Sequence, residues 1–177
     1  MIILGLNAYH GDASACLVRE GIIVAAAEEE RFRRIKHWAG FPSQAIRYCL
    51  IEAGVTLAGV DCIAVNSDPR ANIWKKVGFA VRRRPDLGLI IDRVRNSTKR
   101  QSIEAELAAA FPTQRFACKV HRVEHHLAHM ASSFLVSPFR DATVVSIDGF
   151  GDFSSAAWWR ATTTCPPTTC RPRRMTW

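Results

Sequence analysis

Long apolar runs are missing from this chain of 177 residues. None approaches the ~20 consecutive apolar residues of a membrane-spanning helix, so no membrane partner is expected. The opening Met1-Ile2-Ile3-Leu4-Gly5 lacks the basic start and extended apolar stretch of a secretory signal. It reads as a first strand, and a cytoplasmic location is expected. No CxxC pair occurs, which argues against a cysteine zinc site. No helix-turn-helix pattern and no basic stretch interleaved with aromatics is found, so nucleic acid is not an expected partner.

Six cysteines are present, but Cys16, Cys49, Cys62 and Cys118 each sit among apolar neighbours within strand or helix patterns. They read as reduced core thiols that behave as small hydrophobes. The net charge of +8 is concentrated rather than spread. Residues 68–100 hold ten Lys or Arg against three Asp, and Arg171, Arg173 and Arg174 add charge near the end. Such a segment is a solvated helical face or a surface for a phosphorylated partner.

Along the chain, Ile2 to Asn7, Ala13 to Arg19 and Ile22 to Ala27 read as strands, the last two joined by a Glu20-Gly21 turn. A charged loop from Glu28 to His37 follows. Pro42 opens a helix with Ile46, Cys49, Leu50 and Ala53 on one face and Gly54 as its stop. Asp61 to Asn66 is a strand, Pro69 to Ala110 is mostly helical, and Cys118 to Val123 is a strand. A helix runs from about His125 to Val136, ending before Pro138. Thr143 to Ile147 is a buried strand, with Phe153 to Trp159 as its hairpin partner. The βββαβαβ order predicts a mixed α/β sheet with helices on its faces, and a second, duplicated half beginning near Thr143.

His125 and His129 are four residues apart, so on a helix they share one face. Asp148 ends a strand and can be aimed at the same point. Two imidazoles and a carboxylate suit zinc or iron with positions left open. His126, about 100° round the helix, is expected to be structural. The glycine-flanked turn Asp148-Gly149-Phe150-Gly151-Asp152 exposes backbone N–H groups suited to phosphate. His10-Gly11-Asp12 is either a functional cluster or an ordinary turn. Lys36 is either a site residue or one of several solvated charges.

Several segments in order resemble the carbamoyltransferases of the nodulation-protein-U and antibiotic O-carbamoylation type. They are Gly5-Leu6-Asn7-Ala8-Tyr9-His10-Gly11-Asp12-Ala13-Ser14-Ala15, Glu28-Glu29-Glu30-Arg31-Phe32 with Lys36-His37 and Phe41-Pro42, His125-His126-Leu127-Ala128-His129, and Ile147-Asp148-Gly149-Phe150-Gly151-Asp152. The resemblance spans about residues 1–160 and implies an actin-like ATPase (ribonuclease-H-like) fold. It implies that a C-terminal domain makes carbamoyl-adenylate from carbamoyl phosphate and ATP. The actin-like domain would hold Fe2+ (or Zn2+) and pass the carbamoyl group to a hydroxyl of a small-molecule acceptor, a sugar or natural product. Carried over, His125, His129 and Asp148 match the metal ligands. His10 and Asp12 match residues near the acceptor and the transferred group, Lys36 matches a basic position, and Gly149 and Gly151 match the phosphate-facing turn.

The ending departs from that pattern. From Ala161 to Trp177 apolar periodicity gives way to Thr, Pro, Cys and Arg, so residues 161–177 are expected to be disordered, as after a frameshift or premature stop. On that expectation the second half and the adenylate-forming domain are missing, and the isolated chain has little or no carbamoyltransferase activity. Two further readings stay open. One is a metal-dependent, actin-like partner in threonylcarbamoylation of transfer RNA, with the basic segment meeting RNA. The other is a non-catalytic remnant that binds a separately encoded second half.

Overall fold

The first three strands form because apolar and small residues alternate in and out of one buried face. In the computed structural model, which describes residues 1–9, 11–68, 102–151, 154–162 and 173–175, they are β1 (Ile2–Asn7), β2 (Ser14–Arg19) and β3 (Ile22–Glu28). Leu4, Leu6, Ala15 and Leu17 are buried, while their neighbours in sequence are half-covered, the period-2 pattern of a strand. Glu20 (φ 50°) and Gly21 (φ 80°) make the two-residue turn between β2 and β3. Both are left-handed, which matches the twist of a hairpin and favours glycine at the second position.

A single helical turn, α1 (Glu30–Arg33), interrupts the expected charged loop. Helix α2 (Ser43–Glu52) begins after Pro42 and buries Ala45, Ile46, Cys49 and Leu50. It stops where Gly54 turns left-handed (φ 62°), as a C-terminal glycine permits. Strand β4 (Cys62–Val65), helix α3 (Ile103–Ala110) and strand β5 (Lys119–Arg122) complete this part. Ser102 caps α3 by accepting from Ala105 N at 3.1 Å. The sheet order is β3-β2-β1-β4-β5. β1, β2 and β3 are antiparallel neighbours, whereas β4 is parallel to β1 and β5 to β4. This is the mixed α/β sheet expected from the residue pattern. Most of residues 69–110, predicted helical and basic, lie outside the described residues, and α3 is the part within them.

One core serves this sheet: Leu4, Leu17 and Ile63 from the strands, Ile46 and Cys49 from α2, and Leu107 from α3 are fully enclosed. Burial pushes the Cys49 thiol up to about 11, so it stays protonated and inert. Cys16, Cys49, Cys62 and Cys118 are free thiols, as expected.

The described residues fall into two compact units, the first containing Met1–Asn66 and residues 102–122, the second running from Val123 onward. In the second, helix α4 (His125–Leu135) lies on a three-stranded antiparallel sheet of order β6-β7-β8. Its strands are Asp141–Gly151, Ser154–Thr162 and Arg173–Met175. Met130 and Phe134 of α4 pack with Ala157, Trp159 and Ala161, and the Phe134 and Trp159 rings meet edge-on at 6.2 Å.

Two expectations need correcting here. β6 does not end at Ile147 but continues through an irregularity to Gly151. Nor is the segment from 161 structureless throughout: β7 runs to Thr162 with Ala161 fully buried, and Arg173–Met175 pairs with Ala156–Trp158. Backbone hydrogen bonding needs no apolar periodicity, so a ladder partner can be recruited from a stretch whose side chains carry no pattern.

Glu29 is fully buried at the junction of β3, α1 and α2. Its carboxylate accepts from Gln44 N (2.9 Å), Ala45 N (2.8 Å) and Arg33 Nε (2.7 Å). It therefore serves orphan donors at the start of α2 and neutralises a guanidinium at once. Removing one member of such a buried set leaves an uncompensated charge. Glu29→Ala is expected to lower stability by roughly 3 kcal/mol in urea denaturation, and Glu29→Gln, which keeps an oxygen for an N–H donor, by less.

Candidate functional site

Glu124 starts α4 by accepting from Leu127 N at 2.9 Å, an N-terminal cap that sets which residue opens the helix. From that start His125 and His129 fall on one face. Their Nε2 atoms lie 3.1 Å apart. Asp148 Oδ2 lies 2.5 Å from His125 Nε2 and 3.6 Å from His129 Nε2. The three ligand-capable atoms are all within 4.8 Å of one another. Asp148 reaches them from the irregular part of β6. Ile147 pairs with Ala156 and Gly151 with Ser154, so three residues of β6 oppose one of β7. Such a bulge re-aims a side chain out of the regular pleat.

These three residues suit a cation. Metal–nitrogen and metal–oxygen bonds near 2.1 Å place neighbouring ligands about 2.9–3.4 Å apart, close to the spacings found. A single N–H on His125 Nε2 cannot serve both Asp148 and His129, whereas a cation would take a lone pair from each. Burial, helped by the neighbouring His125, holds the His129 imidazole below its ordinary range, with Asp148 opposing. The neutral form, the one that ligates, is thereby favoured. His125 is mostly enclosed and His129 about half exposed, leaving an accessible side.

His126, expected to be structural, is fully buried with its Nδ1 2.8 Å from Ser146 Oγ. Gly149 lies in the stretch where the β6–β7 ladder is interrupted, and Gly151 resumes the pairing opposite Ser154. The Gly149 backbone therefore departs from regular pairing within the turn expected to face phosphate.

In the first unit, Asp12 meets His37 rather than Lys36: Asp12 Oδ1 and His37 Nδ1 are 2.8 Å apart. His10 lies outside the described residues, and Lys36 is exposed. Tyr9, Asp12 and His37 all have left-handed backbones (φ 63°, 61° and 53°), an uncommon state for residues other than glycine. The two loops are held together by Ala13 N donating to Trp38 O (2.9 Å) and Tyr9 N to Gly40 O (3.2 Å). A side chain at Gly40 would strike the Trp38 ring at 2.8 Å, and Arg33 lies 4.4 Å over that ring. Sequence reasoning passed over His37 and Glu29. The His37 contact joins residues 25 apart, and its only signal was position next to Lys36 in the same motif.

His125, His129 and Asp148 thus form a candidate cation site beside a glycine-containing stretch. The model for the carbamoyltransferase N-terminus matches residues 2–165, and the chain belongs to the carbamoyltransferase family. It is 36% identical over 172 residues to the uncharacterized protein sll1178 of Synechocystis sp., covering 89% of this chain and 27% of that one. It is 35% identical over 157 residues to the nodulation protein NolNO of Sinorhizobium fredii, covering 84% of this chain and 21% of that one. The chain thus spans about a quarter of the length of these relatives. Among solved structures it is similar to YeaZ from Pseudomonas aeruginosa, with 18% identity, 97% of this chain and 64% of that chain covered, and a TM-score of 0.46. Among the described residues no helix is long and apolar enough to cross a membrane.

The hydrogen bond and charge of Asp12, with a smaller contribution from Glu30, hold the His37 imidazole above its ordinary range. The charged pair is therefore fully formed below the ordinary imidazole value and is lost as pH rises through the raised one. NMR titration of His37 should give a midpoint above that of a free imidazole, and Asp12→Asn should return it towards the ordinary value.

Proposed function

We propose that the chain is the N-terminal part of an O-carbamoyltransferase that moves a carbamoyl group from carbamoyl-adenylate to an acceptor hydroxyl. The observation that carries this reading is the convergence of His125, His129 and Asp148 in a member of the carbamoyltransferase family. Carbamoyl phosphate and ATP are the proposed sources of the carbamoyl-adenylate. The domain that joins them is proposed to lie in the part of the longer relatives beyond the matched region.

The acceptor oxygen attacks the carbamoyl carbon, the bond from that carbon to the adenylate phosphate oxygen breaks, and the hydroxyl proton must go to a base. Asp12, paired with His37, is the proposed proton acceptor in the first unit; His10 and Lys36 are proposed to serve the same step. His125, His129 and Asp148 are the proposed holders of Fe2+ or Zn2+, which when bound would supply Lewis acidity towards a phosphate or carbonyl oxygen. Backbone N–H groups around Gly149 and Gly151 are proposed to face the adenylate phosphate, where the leaving group gathers negative charge. The acceptor is proposed to be a sugar or another natural product bearing a hydroxyl.

Two measurements test this. Equilibrium binding of Zn2+ to the metal-free chain should weaken at least ~100-fold in His129→Ala, as loss of one of three protein ligands implies. The chain combined with the separately produced remainder of a family member, carbamoyl phosphate and ATP should yield a carbamoylated alcohol by mass spectrometry, and Asp148→Asn should abolish it. Zn2+ affinity unchanged by His129→Ala, or transfer unchanged by Asp148→Asn, would sink the assignment.

A further inference from the structure

The buried pair His126–Ser146 takes no part in the proposed chemistry, yet it bridges the same two elements that carry the cluster. We infer that His126 and Ser146 are positioning residues: their hydrogen bond sets where α4 sits along β6 and so brings His125 and His129 to Asp148. The inference rests on the reading of that cluster as a metal site.

The packing of α4 explains why such a pin is needed. His126, Met130 and Phe134 recur every four residues along its buried stripe. Met130 and Phe134 meet Ala157, Trp159 and Ala161, contacts that are apolar and non-directional. Apolar burial of this kind holds a helix on a sheet but tolerates small slides along it, and the flexible Met130 side chain adapts easily. The cluster tolerates little, since ligand atoms must stay within about 0.5 Å of a productive arrangement.

Among the described residues, His126 is the position of the stripe with a side-chain hydrogen bond to the sheet, at 2.8 Å from Ser146 Oγ. His126 adjoins His125 in sequence. Ser146 precedes Asp148 by two residues, and both meet α4, at His126 and His125 respectively. The pin therefore stands next to the cluster on both elements. Asp148 lies on the irregular stretch between Ile147 and Gly151, where the ladder with β7 does not fix its height, and Ser146, paired with Ala157, is the last polar side chain on regular β6 before it. The approach of Asp148 Oδ2 to His125 Nε2, 2.5 Å, is the arrangement that the pin maintains.

The test uses Ser146→Ala and Ser146→Thr in the whole chain, with two readouts. In the metal-free chain, NMR cross-peaks between the His125 ring and the Asp148 Hβ protons should be lost in Ser146→Ala, while those between Phe134 and Trp159 persist. Titrated with Co2+ alone, Ser146→Ala should bind about 10–100-fold more weakly, the usual effect of losing a supporting contact. Ser146→Thr, which keeps the hydroxyl, should retain both properties. His125–Asp148 cross-peaks and Co2+ affinity unchanged in Ser146→Ala would overturn the inference. So would loss of the Phe134–Trp159 cross-peaks together with them, which would make Ser146 a residue of general folding. A wild-type chain that ignores Co2+ but loses its imidazole contacts in Ser146→Ala would overturn the metal reading and leave the positioning role standing.

Discussion

The first unit hangs on the carboxylate of Glu29. Enclosed at the end of β3, it satisfies two backbone donors at the start of α2 and the guanidinium of Arg33. A buried charge is tolerable only when such partners surround it, so the three segments that supply them cannot move independently. Arg33 in turn lies over Trp38, and Glu30 accepts from His37 N at 3.3 Å. The chain of contacts ends at the His37–Asp12 pair. A charge that must be neutralised in the interior thus orders an exposed pair of titratable groups at the surface.

The second unit solves its positioning problem differently. Its helix is glued by apolar contacts around Trp159 and aimed by polar ones at its N-terminal end, where Glu124 sets the first residue and His126 meets Ser146. Apolar area supplies the larger share of stability and little specificity of register, whereas a buried hydrogen bond supplies register at small net gain. The bulged stretch that carries Asp148 is freed from the ladder and so able to turn its carboxylate towards the imidazoles.

Much of this was legible in the residue order. Alternation of large and small apolar residues placed β1 and β2 within a residue of where they lie, Gly21 and Gly54 marked a hairpin and a helix stop, and the i, i+4 spacing put His125 and His129 on one face. Asp148 does converge on them, from an irregular stretch within β6 rather than from the strand end that was expected. Other features were not legible. Apolar periodicity carries no information about backbone pairing, so the β8 ladder in the Thr- and Pro-rich stretch went unforeseen. Glu29 looked like one of three equivalent acids at 28–30, and nothing local says which one is enclosed. Lys36 was singled out because it matches a basic position of the family pattern, whereas the contact of His37 with Asp12 depends on how two loops with left-handed residues fold back on each other.

The sequence by itself determined the class of fold and the identity of the residue types that gather at the cluster, because each is a matter of local spacing and composition, while its motifs in order carried the resemblance to the family. Only the tertiary structure decided which acid is buried, which base Asp12 meets, and what holds the imidazoles at the carboxylate. Those depend on contacts between residues far apart in the chain, and such contacts are selected by the packing of whole elements rather than by neighbours in sequence.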